Sequence, residues 1–159
     1  MNQFPAWLPP MATVDPWTND TFDCLYAIFT RDFKDAPPDY EGRIVWFFPE
    51  VENGKEVVFW HLTSKEDKES GSRLPDLRRS ERLPWAKPML THPKEPEIQA
   101  WDYEEADRGI KTYVWLKDHD YLVILKRCKD GSRRLVTSFY IEYSNYRRKL
   151  EKKYAGRLG

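Results

Sequence analysis

Little in this chain of 159 residues can build a covalent staple, a phosphate loop or a membrane span. Its two cysteines, Cys24 and Cys128, lie far apart, and no Cys-x-x-Cys or His-x-x-x-His spacing occurs. That speaks against a metal site. It fits a reducing, cytoplasmic setting with ordinary packing thiols. Seven glycines leave little material for a nucleotide-binding loop, and no cofactor is expected. No run of 18 apolar residues is present, so no transmembrane helix and no membrane partner is expected. The start of the chain lacks a basic flank and carries Pro5, Pro9 and Pro10, so it does not read as a signal peptide. Charge of one sign is missing too. With 26 basic and 26 acidic residues the formal net charge is zero, which at first speaks against a polycation that holds nucleic acid by bulk charge.

What the chain has in abundance is aromatic residues, with seven Trp, nine Tyr and eight Phe. Each can bury a large area, and a chain of this length buries about two-thirds of its unfolded surface without staples. The charge is also unevenly spread. Residues 1–107 hold 12 basic and 21 acidic side chains, a net of −9, whereas residues 108–159 hold 14 and 5, a net of +9. A basic late segment can hold a polyanion through its phosphates. Arg133, Arg134, Arg147 and Arg148 are its candidate phosphate contacts, with Arg78 from the earlier segment. Alternatively, the acidic segment covers the basic one inside the fold.

Residues 1–17 read as a proline-rich, extended tail whose Phe4, Trp7 and Leu8 can dock onto the body, and residues 18–159 as a single domain. A helix is predicted over about 20–34, because Phe22, Leu25, Tyr26, Phe29 and Phe33 follow one helical face and Ala36-Pro37-Pro38 stops it. Arg43 to Phe48 and Lys55 to Thr63 read as a β-hairpin around the Asn53-Gly54 turn. Pro75 to Leu90 reads as two short helices broken by Pro84 and Pro88. Residues 91–107 read as a connector. Ile110 to Lys117, Tyr121 to Arg127 and Arg133 to Ile141 read as three consecutive antiparallel strands, followed by a basic helix over 144–154, with Ser144 as its N-cap. The expected fold class is α+β, with an antiparallel sheet of four to five strands and helices packed on one side.

Three groups can carry chemistry. His61, in Phe59-Trp60-His61-Leu62-Thr63, is an imidazole able to act as base or acid near neutrality; the alternative is a hydrogen-bonded structural histidine. Arg78, Arg79 and Arg82, with Lys87 nearby, share a helical face suited to phosphate oxygens, or form a solvated face paired with Glu81. Thr137, Ser138 and Tyr140 bring hydroxyls to the end of a strand. Ser138 and Tyr140 share one face and Thr137 lies on the other. No Gly-x-Ser-x-Gly elbow supports a serine hydrolase.

The ordered run Phe59-Trp60-His61, Arg79-x-x-Arg82-Leu83-Pro84-Trp85-x-Lys87-Pro88, Tyr121 to Leu125, Leu135 to Tyr140 and Arg147-Arg148-Lys149-Leu150 resembles the phage-associated branch of the barnase/EndoU/colicin/RelE-like RNases. The resemblance covers about residues 43–155. Where that family usually has Thr-Ala-Tyr, this chain has Thr137-Ser138-Phe139. The resemblance implies a metal-independent endoribonuclease, toxin- or phage-effector-like, in which the ribose 2′-hydroxyl attacks the adjacent phosphate. It implies His61 as base or acid. Arg79 and Arg82, with Lys87, would hold the phosphate, and Thr137, Ser138 or Tyr140 would orient it. RNA, and an antitoxin or phage protein, are the implied partners. The competing reading is a non-catalytic interaction protein of a phage or mobile element that binds a protein partner or RNA.

Overall fold

Thr21, Leu25, Phe29 and Phe33 recur every fourth residue, and all four are buried. They define the inner stripe of the first helix, α1 (Thr21–Phe29), which runs on as a π-helical turn over Thr30–Asp35 before the proline pair stops it. In the computed structural model, which describes residues 4–106 and 108–159, strands β1 (Asp39–Tyr40) and β2 (Arg43–Trp46) come next. Two small two-stranded ribbons flank the second helix. β3 (Val51–Glu52) and β4 (Lys55–Glu56) precede α2 (Val57–Thr63), and β5 (Ser64–Glu66) and β6 (Arg73–Pro75) follow it. Then come α3 (Leu77–Glu81), a 3-10 turn over Leu83–Trp85, and α4 (Ala86–Thr91). The rest of the main sheet is β7 (Ile98–Glu105), β8 (Gly109–Leu116), β9 (Tyr121–Arg127) and β10 (Arg133–Tyr140), and α5 (Ser144–Ala155) ends the order.

The fold is α+β, as expected, but the sheet differs from expectation in three ways. It has six strands in the order β1-β2-β10-β9-β8-β7, and it is mixed, because β2 runs parallel to β10 through Val45↔Arg133 and Trp46↔Arg134. Helices also cover both faces. α1, α2, α4 and the 3-10 turn bury Leu25, Phe29, Phe59, Leu62, Leu83, Trp85 and Met89 against Val114, Leu116, Val123, Leu125 and Leu135. On the opposite face Leu150, with Tyr146 and Tyr154 of α5, packs on Trp101, Tyr113, Trp115, Leu122 and Ile124.

The expected hairpin does not form. Asn53-Gly54 does make a tight turn, with both φ angles positive, but it joins only the two-residue strands β3 and β4. Val57 to Thr63 is helical despite its β-branched and aromatic residues. Val58, Phe59 and Leu62 become buried on one helical face, and this tertiary burial outweighs local propensity. The segment expected as a connector contains a full strand, β7. Its alternation is masked because Asp102 sits on an inward face, where it meets Arg133 and Thr112. The expected N-cap of the last helix shifts as well: Tyr143 holds that position without a side-chain capping bond. The tail packs onto the body from Phe4 onward. Leu8 and Val14 join the core, Trp7 Nε1 donates to Glu97, and the Pro9 carbonyl accepts from Trp85 Nε1. Among the described residues no helix is long and apolar enough to cross a membrane.

Candidate functional site

The C-terminal end of α2 is where distant parts of the chain meet. β2 pairs only with the first two residues of β10, and α2 packs beside the rest of that strand. A helix end leaves carbonyls without intrahelical partners. Here they are taken by side chains. The His61 carbonyl accepts from Arg79 Nη1 at 2.6 Å and from Thr137 Oγ1 at 3.1 Å. The Ser64 carbonyl accepts from Arg79 Nη1 at 2.9 Å and from Arg73 Nη2 at 2.6 Å, and Arg73 Nε donates to Ser64 Oγ at 2.9 Å. Two guanidinium groups are thereby held at the end of α2 that carries His61. Arg73 lines a depression with Phe22, Trp60 and Ser64, and neither guanidinium lines the cavity that takes the His61 ring. Each keeps one terminal nitrogen, Arg73 Nη1 and Arg79 Nη2, without a hydrogen-bond partner among the described residues.

Asp76 sets the position of Arg79. It is the N-cap of α3, accepting from the Arg79 backbone N–H at 3.0 Å, and its second oxygen lies 3.5 Å from Arg79 Nε. Replacing Asp76 with alanine removes both contacts and is expected to cost about 1–2 kcal/mol, on the scale of a lost cap. A urea midpoint unchanged from the wild type would contradict this.

The His61 ring is half-buried and lines a cavity of about 200 Å³ with Phe48, Glu50, Val57, Val58, Leu135 and Val136. Burial, and then the charges of Arg73 and Arg79, push its pKa below the ordinary 6.5, with Glu52 opposing weakly. The imidazole is therefore neutral at pH 7 and able to accept a proton. A second cavity, of about 170 Å³, lies further along β10 and is lined by Asp76, Arg79, Phe139, Tyr140 and Tyr143 among others. Thr137 stands between the two along the strand, fixed to the His61 carbonyl.

The other residues nominated from sequence are placed differently. Ser138 and Tyr140 do share a face opposite to Thr137, as the register across from Val123 and Tyr121 requires. Ser138 is fully buried, however, its hydroxyl 2.6 Å from that of Tyr121, whose pKa burial raises to about 12. Ser138 is thus part of the core and does not reach the cavities. Arg82 is nearly buried. Its guanidinium lies 4.4 Å from the Tyr140 ring centroid and donates to Glu81 and to the Arg78 carbonyl. Arg78 is exposed, 5.1 Å from the same ring. Lys87 faces a different depression with Trp7 and His92 and donates to the Ala36 carbonyl.

The late basic residues divide in the same way. Arg133 is buried against Asp102, Thr112 and Tyr40, and Arg147 is bound to Asp120 and to the Lys117 carbonyl. Lys153 pairs with Glu105. Part of the +9 is thus neutralised inside the fold by the acidic segment, the alternative weighed above. Arg134 and the exposed Arg148 have no salt bridge among the described residues. No group of three or more His, Cys, Asp or Glu side chains among the described residues could hold a metal ion.

Sequence reasoning did not single out Arg73 or Glu50. Arg73 lies in a polar run that reads as a loop, and the exposed Glu50 gains interest only because the chain folds it against the His61 cavity. Set against known proteins, the chain matches no protein-family model, no curated protein and no solved structure.

Proposed function

We propose that this chain is a metal-independent endoribonuclease, with His61 as general base and Arg79, joined by Arg73, as the phosphate-stabilising cations. The observation that carries the reading is the convergence on one backbone carbonyl. Arg79, from 18 residues away, and Thr137, from 76 residues away, both donate to the His61 carbonyl, and Arg79 and Arg73 together lie close enough to depress the pKa of the His61 ring. Those are the parts that attack by a 2′-hydroxyl needs: a proton acceptor, and positive charge where the phosphorane gathers negative charge.

In this scheme the His61 ring takes the 2′-hydroxyl proton, and the 2′-oxygen bonds to phosphorus. Arg79 Nη2 and Arg73 Nη1 donate to the phosphoryl oxygens. Solvent at the open mouth of the cavity protonates the departing 5′-oxygen. Thr137 acts as a positioning residue through the backbone of α2. Lys87 and Ser138 have no part in the scheme, and Arg82 with Tyr140 supports the wall beside Arg79. The resemblance to the barnase/EndoU/colicin/RelE-like RNases supports the same activity, and a protein inhibitor or phage partner remains a proposal of that resemblance.

The pH profile tests the role of His61. A base must be unprotonated, so kcat/KM for RNA cleavage in EDTA is expected to rise with pH and level off with an apparent pKa below 6.5, because burial and the two arginines depress the ring. An acidic limb centred above 7 would contradict this assignment. The same depression makes folding disfavour the imidazolium, so the stability His61 contributes is present above pH 6.5 and is lost as pH falls below it.

A further inference from the structure

α5 covers only part of its face of the sheet. Beyond it, cross-strand register sets Lys111 of β8 opposite Lys126 of β9, Lys126 opposite Arg134 of β10, and Arg134 beside Trp46 of β2. All four lie on the α5 side. Lys111 shares strand parity with Tyr113 and Trp115, Lys126 with Leu122 and Ile124, while Arg134 and Trp46 alternate with the oppositely buried Leu135 and Val45. Residues directly opposite on neighbouring strands are about 5 Å apart, and like charges in that relation destabilise a sheet. Three cations in direct register are therefore costly unless an anion lies over them.

Among the described residues nothing supplies that anion. None of the three cations makes a salt bridge among the described residues. Glu105 and Asp130 lie within their electrostatic reach, but Lys153 and Tyr113 engage Glu105, and Ser132 engages Asp130. At the end of the row Trp46 is 50 % exposed, and so is Phe48, which also lines the His61 cavity. Large aromatic rings left in solvent beside unpaired cations match the chemistry of a single-stranded nucleic acid, whose phosphates need charge and whose unstacked bases need flat apolar partners. A duplex hides its base faces and has no use for Trp46.

We infer that the row Lys111–Lys126–Arg134–Trp46 is a track for single-stranded RNA that leads along β10, past Phe48, into the His61 cavity. This rests on the endoribonuclease reading for the direction of the track, whereas the binding itself does not depend on cleavage. The exposed Arg148, Lys149 and Lys152 of α5 add positive potential on the same side of the sheet.

The test uses the full chain and a fluorescent 2′-O-methyl oligouridylate of 12 nucleotides, which lacks the attacking hydroxyl and so reports binding alone. Fluorescence anisotropy is measured across a salt series in EDTA. The Lys111→Gln/Lys126→Gln/Arg134→Gln variant is expected to lose at least tenfold in affinity, and its log–log salt slope is expected to flatten by about 2, since each single-strand phosphate contact contributes about 0.7. Trp46→Ala is expected to weaken binding at least about fivefold, while Trp46→Phe, which keeps a stacking ring, stays within about threefold of wild type. A Lys68→Gln/Lys94→Gln control, with both exposed lysines far from the row in sequence, should bind as wild type.

Circular dichroism melts matching wild type establish that each variant is folded, and the Trp46 pair tests the track even if the triple variant is not. The inference is overturned by any of three results: wild-type affinity and slope in the folded triple variant, equal loss from Trp46→Phe and Trp46→Ala, or duplex binding as tight as single-strand binding. A wild-type chain that binds a protein partner from solution but no RNA overturns it too. Binding without cleavage of unmodified RNA sinks the endoribonuclease reading and leaves the track standing. Cleavage with an unaffected triple variant does the reverse.

Discussion

His61→Ala is expected to lower RNA cleavage by at least about a hundredfold, the scale of removing a general base. The ring makes no hydrogen bond within the described structure, and it lines a cavity open to solvent. Its backbone carbonyl, which holds Arg79 and Thr137, is untouched by the substitution. Fold and cation placement therefore survive, and the loss falls on proton transfer. His61→Gln keeps the polarity and size but cannot accept the proton at neutral pH, so it should be as inactive as alanine. The readout is the initial rate on a fluorogenic RNA in EDTA, with the thermal midpoint measured alongside. A variant that cuts at more than a tenth of the wild-type rate would remove His61 from the chemistry.

Arg133→Ala is expected to have the largest effect on stability, about 3–5 kcal/mol, the usual result of breaking a buried ionic network from one side. The Arg133 side chain is only 7 % exposed. Nε donates to Thr112 Oγ1 at 2.8 Å, Nη2 lies 3.2 Å from Asp102, Nη1 lies 3.4 Å from Glu41, and the guanidinium covers the Tyr40 ring at 4.8 Å. Without it the largely buried Asp102 keeps Arg127 as its cation and the Thr112 hydroxyl, and β1, β7, β8 and β10 lose the side chain that ties them together. Urea unfolding measures the effect directly. A loss under 1 kcal/mol would mean that the network is not holding these strands.

The adjacent Arg134 shows how such residues divide. The sequence nominates both arginines as phosphate contacts, yet alternation along a strand sends them to opposite faces. One is spent inside the helix-covered layer, and the other lies on the open part of the sheet. That division was readable from strand periodicity. Its consequence was not, because the row Lys111–Lys126–Arg134–Trp46 exists only once four strands are paired in register. β8, β9 and β10 were legible to within a residue or two, since short turns and clean hydrophobic alternation mark them. β7 was hidden by the charged residues it turns inward. α2 was hidden by side chains that favour strands in isolation and become helical when Val58, Phe59 and Leu62 can be buried together.

The candidate site was legible in part for the same reason. His61, Arg79 and Thr137 stand out as residue types, and the fold brings them to one carbonyl. Arg73 and Glu50 carry no local signal and gain their place from packing alone. Ser138 carried a signal that burial cancels, because a hydroxyl on the inward face of β10 meets Tyr121 instead of solvent. The zero net charge works likewise. It is the sum of an acidic segment, part of which neutralises Arg133, Arg127 and Lys153, and a basic segment whose unpaired remainder sits largely on one side of the sheet.

The most direct test of catalysis by 2′-hydroxyl attack is the chemical identity of the new RNA ends. Purified protein is incubated in EDTA with a defined single-stranded RNA, and the fragments are weighed by mass spectrometry. Attack by the 2′-hydroxyl leaves a 2′,3′-cyclic phosphate on one fragment and a 5′-hydroxyl on the other, and those are the masses expected from the wild type and absent from His61→Ala. Fragments ending in 3′-hydroxyl and 5′-phosphate, or no fragments at all, would contradict it.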